Sequence, residues 1–228
     1  MRHHTPPPIP WPGPHRWLFV AMAGLTLISA AGGCNLLGFA AHMIAGGDAK
    51  KVAVEAEYHG LNHQSVAVLV SSDEYTLFEY PNANAEVCRQ VSVQLASSVP
   101  GVGVVDPQQI DAFQKETPFW NTLPSGELLE HLQVDRLIYV DLIQYALHEP
   151  GNTYVWQGTV MANISVASSD AANPNNLVYS KTIQDRYPQD KAVGVLVADN
   201  QTIQLGLLRS FSSKVVNLFT PHDEVASH

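Results

Sequence analysis

The spacing of apolar and polar residues predicts short strands and amphipathic helices over residues 64–220. The β-branched run SVAVLV at residues 65–70 is typical of a strand that is buried on both faces. A polar and aromatic loop is expected over residues 71–81. Apolar residues then recur at four-residue spacing, which predicts an amphipathic helix that ends near Ser98. Its apolar stripe consists of Val87, Val91 and Leu95, and its N-cap is Asn82 or Asn84.

The next part of the chain is predicted to contain a short strand and two short helices. The strand covers residues 102–105. Asp106 and Pro107 then provide an N-cap and a proline in the first helical turn, and Pro118 ends this helix. Ser125 is expected to cap a further short helix that ends at Leu132.

Three strands and a final helix complete the pattern. Residues 136–147 are apolar on both faces at first, and residues 153–167 and 177–183 alternate, which predicts an antiparallel meander. Apolar residues at helical spacing predict a last helix over residues 200–219. Residues 221–228 are expected to form a frayed tail.

These elements define an α+β fold, an α/β sandwich with the order β-α-β-α-(α)-β-β-β-α. The first two βα units favour parallel pairing through right-handed crossovers, whereas the meander requires antiparallel pairing. We therefore expect one mixed sheet of about five strands with helices mainly on one face. A single domain is expected over residues 64–220.

An apolar segment with the features of an export signal precedes this domain. Residues 17–28 are apolar, Arg2 and Arg16 lie before them, and no acidic residue occurs before Cys34. The signal ends in a motif that resembles the lipobox of bacterial lipoproteins, although its first residue is not the most common leucine. The motif consists of Ala31, Gly32, Gly33 and Cys34.

The lipobox resemblance implies cleavage between Gly33 and Cys34 and lipidation of the Cys34 thiol. Residues 1–33 are then the signal peptide, and residues 34–63 are a lipidated N-terminus and tether. Acyl chains that each bury CH₂ groups at about 0.8 kcal/mol hold such a protein at a membrane.

Two other interpretations of the segment stay open. An uncleaved helix over residues 17–44 is long enough to span a bilayer, although Gly32 and Gly33 are poor mid-helix residues. The other interpretation is an ordinary secretory signal with a chance cysteine.

Charge and cysteine content narrow the functional classes. Without residues 1–33 the chain carries 10 basic and 21 acidic residues, a net charge of −11 with neutral histidines. Nucleic acids and anionic lipids require clustered Lys or Arg, so neither is an expected partner. Lipidation of Cys34 leaves Cys88 without a disulfide partner, and Cys88 is expected to be a small buried hydrophobe.

The element order behind a lipobox resembles a group of envelope proteins. These are the LpoB-type activators of penicillin-binding proteins, the CsgG secretion family, the N-terminal domain of TolB and uncharacterised lipoproteins of planctomycete-type bacteria. The resemblance rests on the first strand, on the VVDPQQI junction at residues 104–110 and on the strand at residues 136–147. It implies a non-enzymatic module that binds partner proteins. A CsgG-like channel is not expected, because such a channel requires long hairpins and the predicted strands at residues 153–167 and 177–183 are too short to form them.

The sequence contains no nucleophile elbow, P-loop, dinucleotide fingerprint, HExxH or CxxC motif. His59 and His63 are four residues apart but are separated by Gly60 and Asn62, so a solvated pair is expected rather than a metal site.

Asp141 interrupts an apolar strand. It is expected to pair with Arg136, Lys181 or a backbone donor, and the alternative is a buried acid with a raised pKa. Three other polar groups are expected to be solvated: His148-Glu149 at a turn, His222-Asp223 in the tail, and the helix face with Glu127 and Glu130.

Aromatic residues in two predicted loops are the best candidates for a partner-binding surface, because loop aromatics are enriched at recognition sites. Packing over a sheet edge is the alternative. The candidates are Tyr75, Phe78, Tyr80, Phe119 and Trp120.

The sequence thus predicts a non-enzymatic, lipid-anchored periplasmic protein that binds another envelope protein, without cofactor or metal. It faces the periplasm from the cell membrane or outer membrane, and Asn35 after the cysteine favours the outer membrane. The alternatives are an envelope hydrolase with a loop-built site and an auxiliary lipoprotein of a transport system. The oligomeric state is left open.

Overall fold

The computed structural model describes residues 51–149, 152–189 and 199–225 of the chain. Within these ranges, residues 53–224 form one compact unit. Lys51, Val52 and Val225 belong to a second unit, and the rest of that unit lies outside the described residues. The predicted signal peptide, the lipobox and Cys34 therefore also lie outside the described residues.

A mixed five-stranded sheet forms the centre of the fold, with the strand order β3-β2-β4-β5-β6. Strand β2 pairs in parallel with β3 and β4, whereas β5 pairs antiparallel with β4 and β6. A separate two-stranded sheet pairs β1 with β7. The strands are β1 (Lys51–Val54), β2 (Ser65–Ser72), β3 (Gly103–Val104), β4 (Arg136–Glu149), β5 (Asn152–Ser168), β6 (Leu177–Tyr187) and β7 (His222–Val225).

Five α-helices and one 3₁₀ turn accompany these strands in the described residues. The helices are α1 (Glu74–Glu79), α2 (Ala83–Ser98), α3 (Pro107–Glu116), α4 (Ser125–Leu132) and α5 (Asn200–Asn217), and the 3₁₀ turn is Trp120–Thr122. The predicted α+β class, its mixed sheet and its order of elements are confirmed. The loop expected over residues 71–81 is wrong, because Asp73 caps α1 by accepting a hydrogen bond from Thr76 N at 2.8 Å.

The helices cover the sheet unequally. The two longest helices, α2 and α5, pack against each other. Their face of the sheet includes Val140 and Ile164, which pair across β4 and β5. Helix α4 contacts the opposite face, where the Tyr139 hydroxyl lies 3.1 Å from Ser125 Oγ. Ser125 therefore does not cap α4 with its side chain, because the cap residue is Pro124.

The fold extends beyond both predicted domain ends. The domain was expected to begin at residue 64, but Leu61 is 1% exposed and completes the core. The amides of Glu57 and Tyr58 both donate to the Leu218 carbonyl, at 2.9 and 3.0 Å. The expected frayed tail instead contributes β7, whose backbone pairs with β1.

Candidate functional site

The strongest candidate site is a groove at the carboxyl end of β2. Strand β2 leads through α2 to β3 on one side, and β3 leads through α3 and α4 to β4 on the other side. The strand order therefore reverses beside β2. In open α/β sheets, ligands bind outside the carboxyl ends of the strands at such a switch point.

This groove has a volume of about 400 Å³, which lies within the usual range for ligand sites. One wall comes from α1 and the start of α2, and the other from α3 and the loop behind it. At the floor, Gln114 Nε2 donates to the Val70 carbonyl at 3.1 Å. Lys115 donates to Asp111 at 2.6 Å, so the one cation among the lining residues is already paired.

Two buried polar atoms of the groove lack a partner among the described residues. They are Ser72 Oγ at the end of β2 and Asn84 Oδ1 in the first turn of α2. An unsatisfied buried polar group costs about 1–3 kcal/mol, so a donor supplied by a ligand would recover this energy. The sequence did not indicate a role for Ser72, and it indicated Asn84 only as an alternative N-cap, whereas the cap residue is Asn82. Only the tertiary fold brings β2 and α2 to one groove.

Exposed aromatic side chains occur on the two segments that supply the groove walls, next to residues that line the groove. Tyr75 and Phe78 of α1 are 68% and 80% exposed, beside Leu77, which lines the groove. Phe119 is 76% exposed and follows Pro118, which lines the opposite wall. We call Tyr75, Phe78 and Phe119 the aromatic rims. Three of the five predicted contact residues are thus available to a partner.

The other two predicted contact residues are structural. Trp120 is only 8% exposed and belongs to the hydrophobic core, and the part of its ring that is exposed lines the groove. Tyr80 is half-buried: its hydroxyl accepts a hydrogen bond from Leu147 N at 3.2 Å, and its ring packs edge-on against Tyr145. Aromatic residue type alone does not distinguish these roles, because neighbouring positions in a turn point in different directions.

The groove lies in an acidic part of the surface. Residues 71–89 and 106–127 supply both walls and together contain eight acidic and two basic residues, a net charge of −6. The whole chain carries −9. The two segments that supply the walls are therefore strongly acidic, although Asp111, the one acid among the lining residues, is paired with Lys115.

Asp141 is an exposed strand carboxylate rather than a buried acid. Its Oδ1 accepts a hydrogen bond from Ser71 Oγ at 2.9 Å. The expected charged partners are engaged elsewhere, since Arg136 pairs with Asp170 at 2.8 Å and Lys181 pairs with Glu57. Neither Asp141 nor a histidine lines the groove.

The histidines are dispersed over the described residues. His59 and His63 are exposed, and the His131 ring packs against Phe113. His148 stacks on Trp156 with ring centroids 3.9 Å apart, and His222 lies 3.3 Å from Glu224. Within residues 51–149, 152–189 and 199–225, no three His, Cys, Asp or Glu residues are grouped as metal ligands.

Cys88 is buried, as the sequence predicts. It is 3% exposed, and its Sγ lies 3.3 Å from the Val68 carbonyl oxygen. Burial raises the pKa of the Cys88 thiol to about 11, so the thiolate is scarce at neutral pH. Cys88 therefore acts as a packing residue.

Comparison with known proteins defines no family for this chain. No protein-family model matches it, and no curated protein matches it either. Among the described residues, none of the helices has the length and apolar character needed to cross a membrane.

The fold is similar to those of several solved structures at low identity. One is lipoprotein GNA1162 of Neisseria meningitidis, with 14% identity, 67% of this chain and 98% of that chain covered, and a TM-score of 0.44. Another is the PelC dodecamer of Paraburkholderia phytofirmans, with 9% identity and a TM-score of 0.45, where the match covers 75% of this chain and 96% of the PelC chain. A third is rare lipoprotein B of Shewanella oneidensis, with 16% identity and a TM-score of 0.21, where the match covers 67% of this chain and 98% of that chain. With TM-scores below 0.5, these similarities carry no argument about function.

Proposed function

We propose that this protein is a non-enzymatic lipoprotein of the bacterial envelope whose folded domain binds another envelope protein. The aromatic rims are the contact surface. One observation carries the proposal: three aromatic side chains are 68–80% exposed on the two separate segments that supply the walls of one groove.

Exposure of these side chains to water is unfavourable and is relieved by binding. Burial of apolar surface contributes about 25 cal/mol per Å², and aromatic residues bury 150–250 Å² each. Aromatic anchors next to a recess are typical of the residues that dominate protein–protein binding energy. The groove adds hydrogen-bonding side chains that fix the orientation of a bound segment.

The lipid anchor is the other half of the proposal. We propose that the signal is cleaved after Gly33 and that Cys34, the new N-terminal residue, carries diacylglycerol on its thiol. The acyl chains then hold the domain on the periplasmic side of a membrane. The test is palmitate labelling of the wild type and of Cys34→Ser, together with mass spectrometry of the mature N-terminus. We expect label and cleavage in the wild type only. An unlabelled wild type that retains residues 1–33 would contradict the anchor.

Partner binding is tested with a photo-crosslinking amino acid placed at Phe78 or Phe119 in living cells. Val93 and Leu205 are matched controls, because they are 56% and 55% exposed and lie in the middle of α2 and on α5, away from the segments that supply the groove walls. We expect one reproducible crosslinked protein from Phe78 and Phe119 and none from the controls. Equal crosslinking from all four positions would contradict a specific surface.

A further inference from the structure

The charge around the aromatic rims indicates which partners they accept. Helix α1 carries Glu74 and Glu79 beside its exposed aromatic residues, and Asp73 caps it. All three acids are exposed, and no Lys or Arg occurs between residues 71 and 88. On the opposite wall, Glu116 is exposed, and Lys115 is already paired with Asp111. An acidic segment would therefore be repelled from both walls.

The groove itself offers hydrogen-bond acceptors. Asn84 Oδ1 is an unpartnered acceptor, and Ser72 Oγ can also accept. The guanidinium of Arg and the ammonium of Lys are donors only, so they match this set. Arg also stacks on aromatic faces, which the exposed rings of Tyr75, Phe78 and Phe119 provide.

We propose that the aromatic rims and their groove bind a cationic segment of the partner protein, in which Lys or Arg residues flank apolar anchors. This inference rests on the proposed function and specifies the chemistry of its partner. The apolar anchors pack on the aromatic rims, and a Lys or Arg side chain enters the groove. Negative charge around the site accelerates encounter and excludes acidic partners.

The inference is tested with synthetic peptides and the purified full chain in detergent. The probe is a labelled 18-residue peptide of alternating Arg and Leu blocks. Two control peptides have the same length, with Glu in place of Arg or with Ser in place of Leu. Fluorescence anisotropy measures the dissociation constant for each peptide. We expect binding of the Arg/Leu peptide only.

Variants of the protein identify the site. Phe78→Ser and Phe119→Ser are expected to weaken binding at least about tenfold each, the usual loss for an aromatic anchor. Val93→Ser and Leu205→Ser are the matched controls and are expected to change it less than about twofold. Circular dichroism confirms that all four variants are folded.

Charge is tested separately from the aromatic contacts. Raising the salt concentration from about 0.1 M to about 1 M shortens the screening length from about 10 Å to about 3 Å. We expect binding to weaken with salt, and Glu74→Gln/Glu79→Gln to reduce both the affinity and its salt dependence. Glu130→Gln, an exposed acid on α4, is the control.

Three results would overturn the inference: tight binding of the Glu/Leu peptide, equal loss in rim and control variants, or no binding of the Arg/Leu peptide. Phe78- and Phe119-dependent partition of Cys34→Ser protein into phosphatidylcholine vesicles would also overturn it, in favour of a membrane surface. If a partner is crosslinked at Phe78 and its binding does not depend on salt or on the charge of α1, the proposed function is supported and only the cationic character of the bound segment is contradicted.

Discussion

At the scale of single residues, buried charges tie distant segments together. Arg136 is 6% exposed and donates to the carbonyls of Gly60 and Asp135 and to the Asp170 carboxylate, at 2.8–3.0 Å. Asp185 is a second case: its side chain is fully buried, and one oxygen lies 2.7 Å from Lys214 Nζ. A buried carboxylate is tolerated only with such a partner.

We predict that Lys214→Met destabilises the protein by about 3 kcal/mol, because Asp185 is left as an uncompensated buried charge. Urea unfolding measures the loss. Lys115→Met is the control, because its pair with Asp111 is exposed, and it should cost no more than about 0.5 kcal/mol. Asp185→Asn should recover part of the loss in the Lys214→Met background. Equal effects of the two lysine variants would contradict the prediction.

At the scale of elements, helix α1 carries two of the three residues that form the aromatic rims, Tyr75 and Phe78, although it has only six residues. Thr76 is its one buried residue, so few contacts hold it in place. Its stability therefore depends on the Asp73 cap, since an isolated helix of this length does not form in water.

We predict that Asp73→Ala frays α1 and weakens partner binding, because the Thr76 amide loses its acceptor. Asp73→Asn is the matched control: it removes the charge but can keep the cap. Hydrogen exchange of residues 74–79 should accelerate in Asp73→Ala and stay close to wild type in Asp73→Asn. If neither variant alters exchange, the cap does not hold the helix.

The contact of α5 with the sheet depends on a glycine in β5. A Cβ at Gly158 would lie 2.9 Å from Leu207 Cδ2 and 3.1 Å from Leu207 Cβ, so Leu207 must shift to make room for a larger residue. We predict that Gly158→Ala costs about 1–2 kcal/mol in the free energy of unfolding. Gly103→Ala is the control, because the nearest atom to its Cβ is 4.0 Å away. A loss in Gly103→Ala as large as in Gly158→Ala would rule out steric contact as the cause.

At the scale of the whole molecule, depressed carboxyl pKa values link stability to pH. Hydrogen bonds from the Ser65 hydroxyl and amide hold the pKa of Asp135 below its ordinary value of 3.8. Hydrogen bonds from Ser168 and Arg136 lower the pKa of Asp170, and that from Lys181 lowers the pKa of Glu57. The unfolded chain therefore binds protons at a higher pH than the folded protein does.

We predict that stability is full above the ordinary carboxyl pKa values, 3.8 for Asp and 4.5 for Glu, and falls as the pH drops through the lower folded values. The measurement is the free energy of unfolding in urea between about pH 6 and about pH 2.5. Asp135→Asn should be less stable at pH 6 but should lose less on acidification. Stability that rises below about pH 4 would contradict the sign of this linkage.

Local pattern predicted most elements. The Asp106-Pro107 signal gives a helix with Pro107 as its first residue, and the Asp106 side chain accepts from Gln108 N at 2.8 Å. The strand predicted at residues 65–70 is buried from Val66 to Val70, as its β-branched composition indicates. Helix α1 was missed, because six residues give too short a window for helical periodicity.

The candidate site was predicted only in part. Loop aromatics indicated the two segments, but Trp120 proved to be core and Phe119 exposed, although they are neighbours. The polar atoms of Ser72 and Asn84 gave no signal, because neither residue type is unusual at a strand end or helix start.

By itself the sequence determined the elements of the five-stranded sheet and its longer helices, the mixed sheet, the acidic character and the burial of Cys88. These follow from side-chain periodicity, capping and charge, which act over a few residues. Only the tertiary structure decided that α1 and the residues after α3 border one groove at the end of β2, and that both of these acidic segments carry exposed aromatic residues. That arrangement results from the crossover connections on either side of β2, which bring together segments about 40 residues apart.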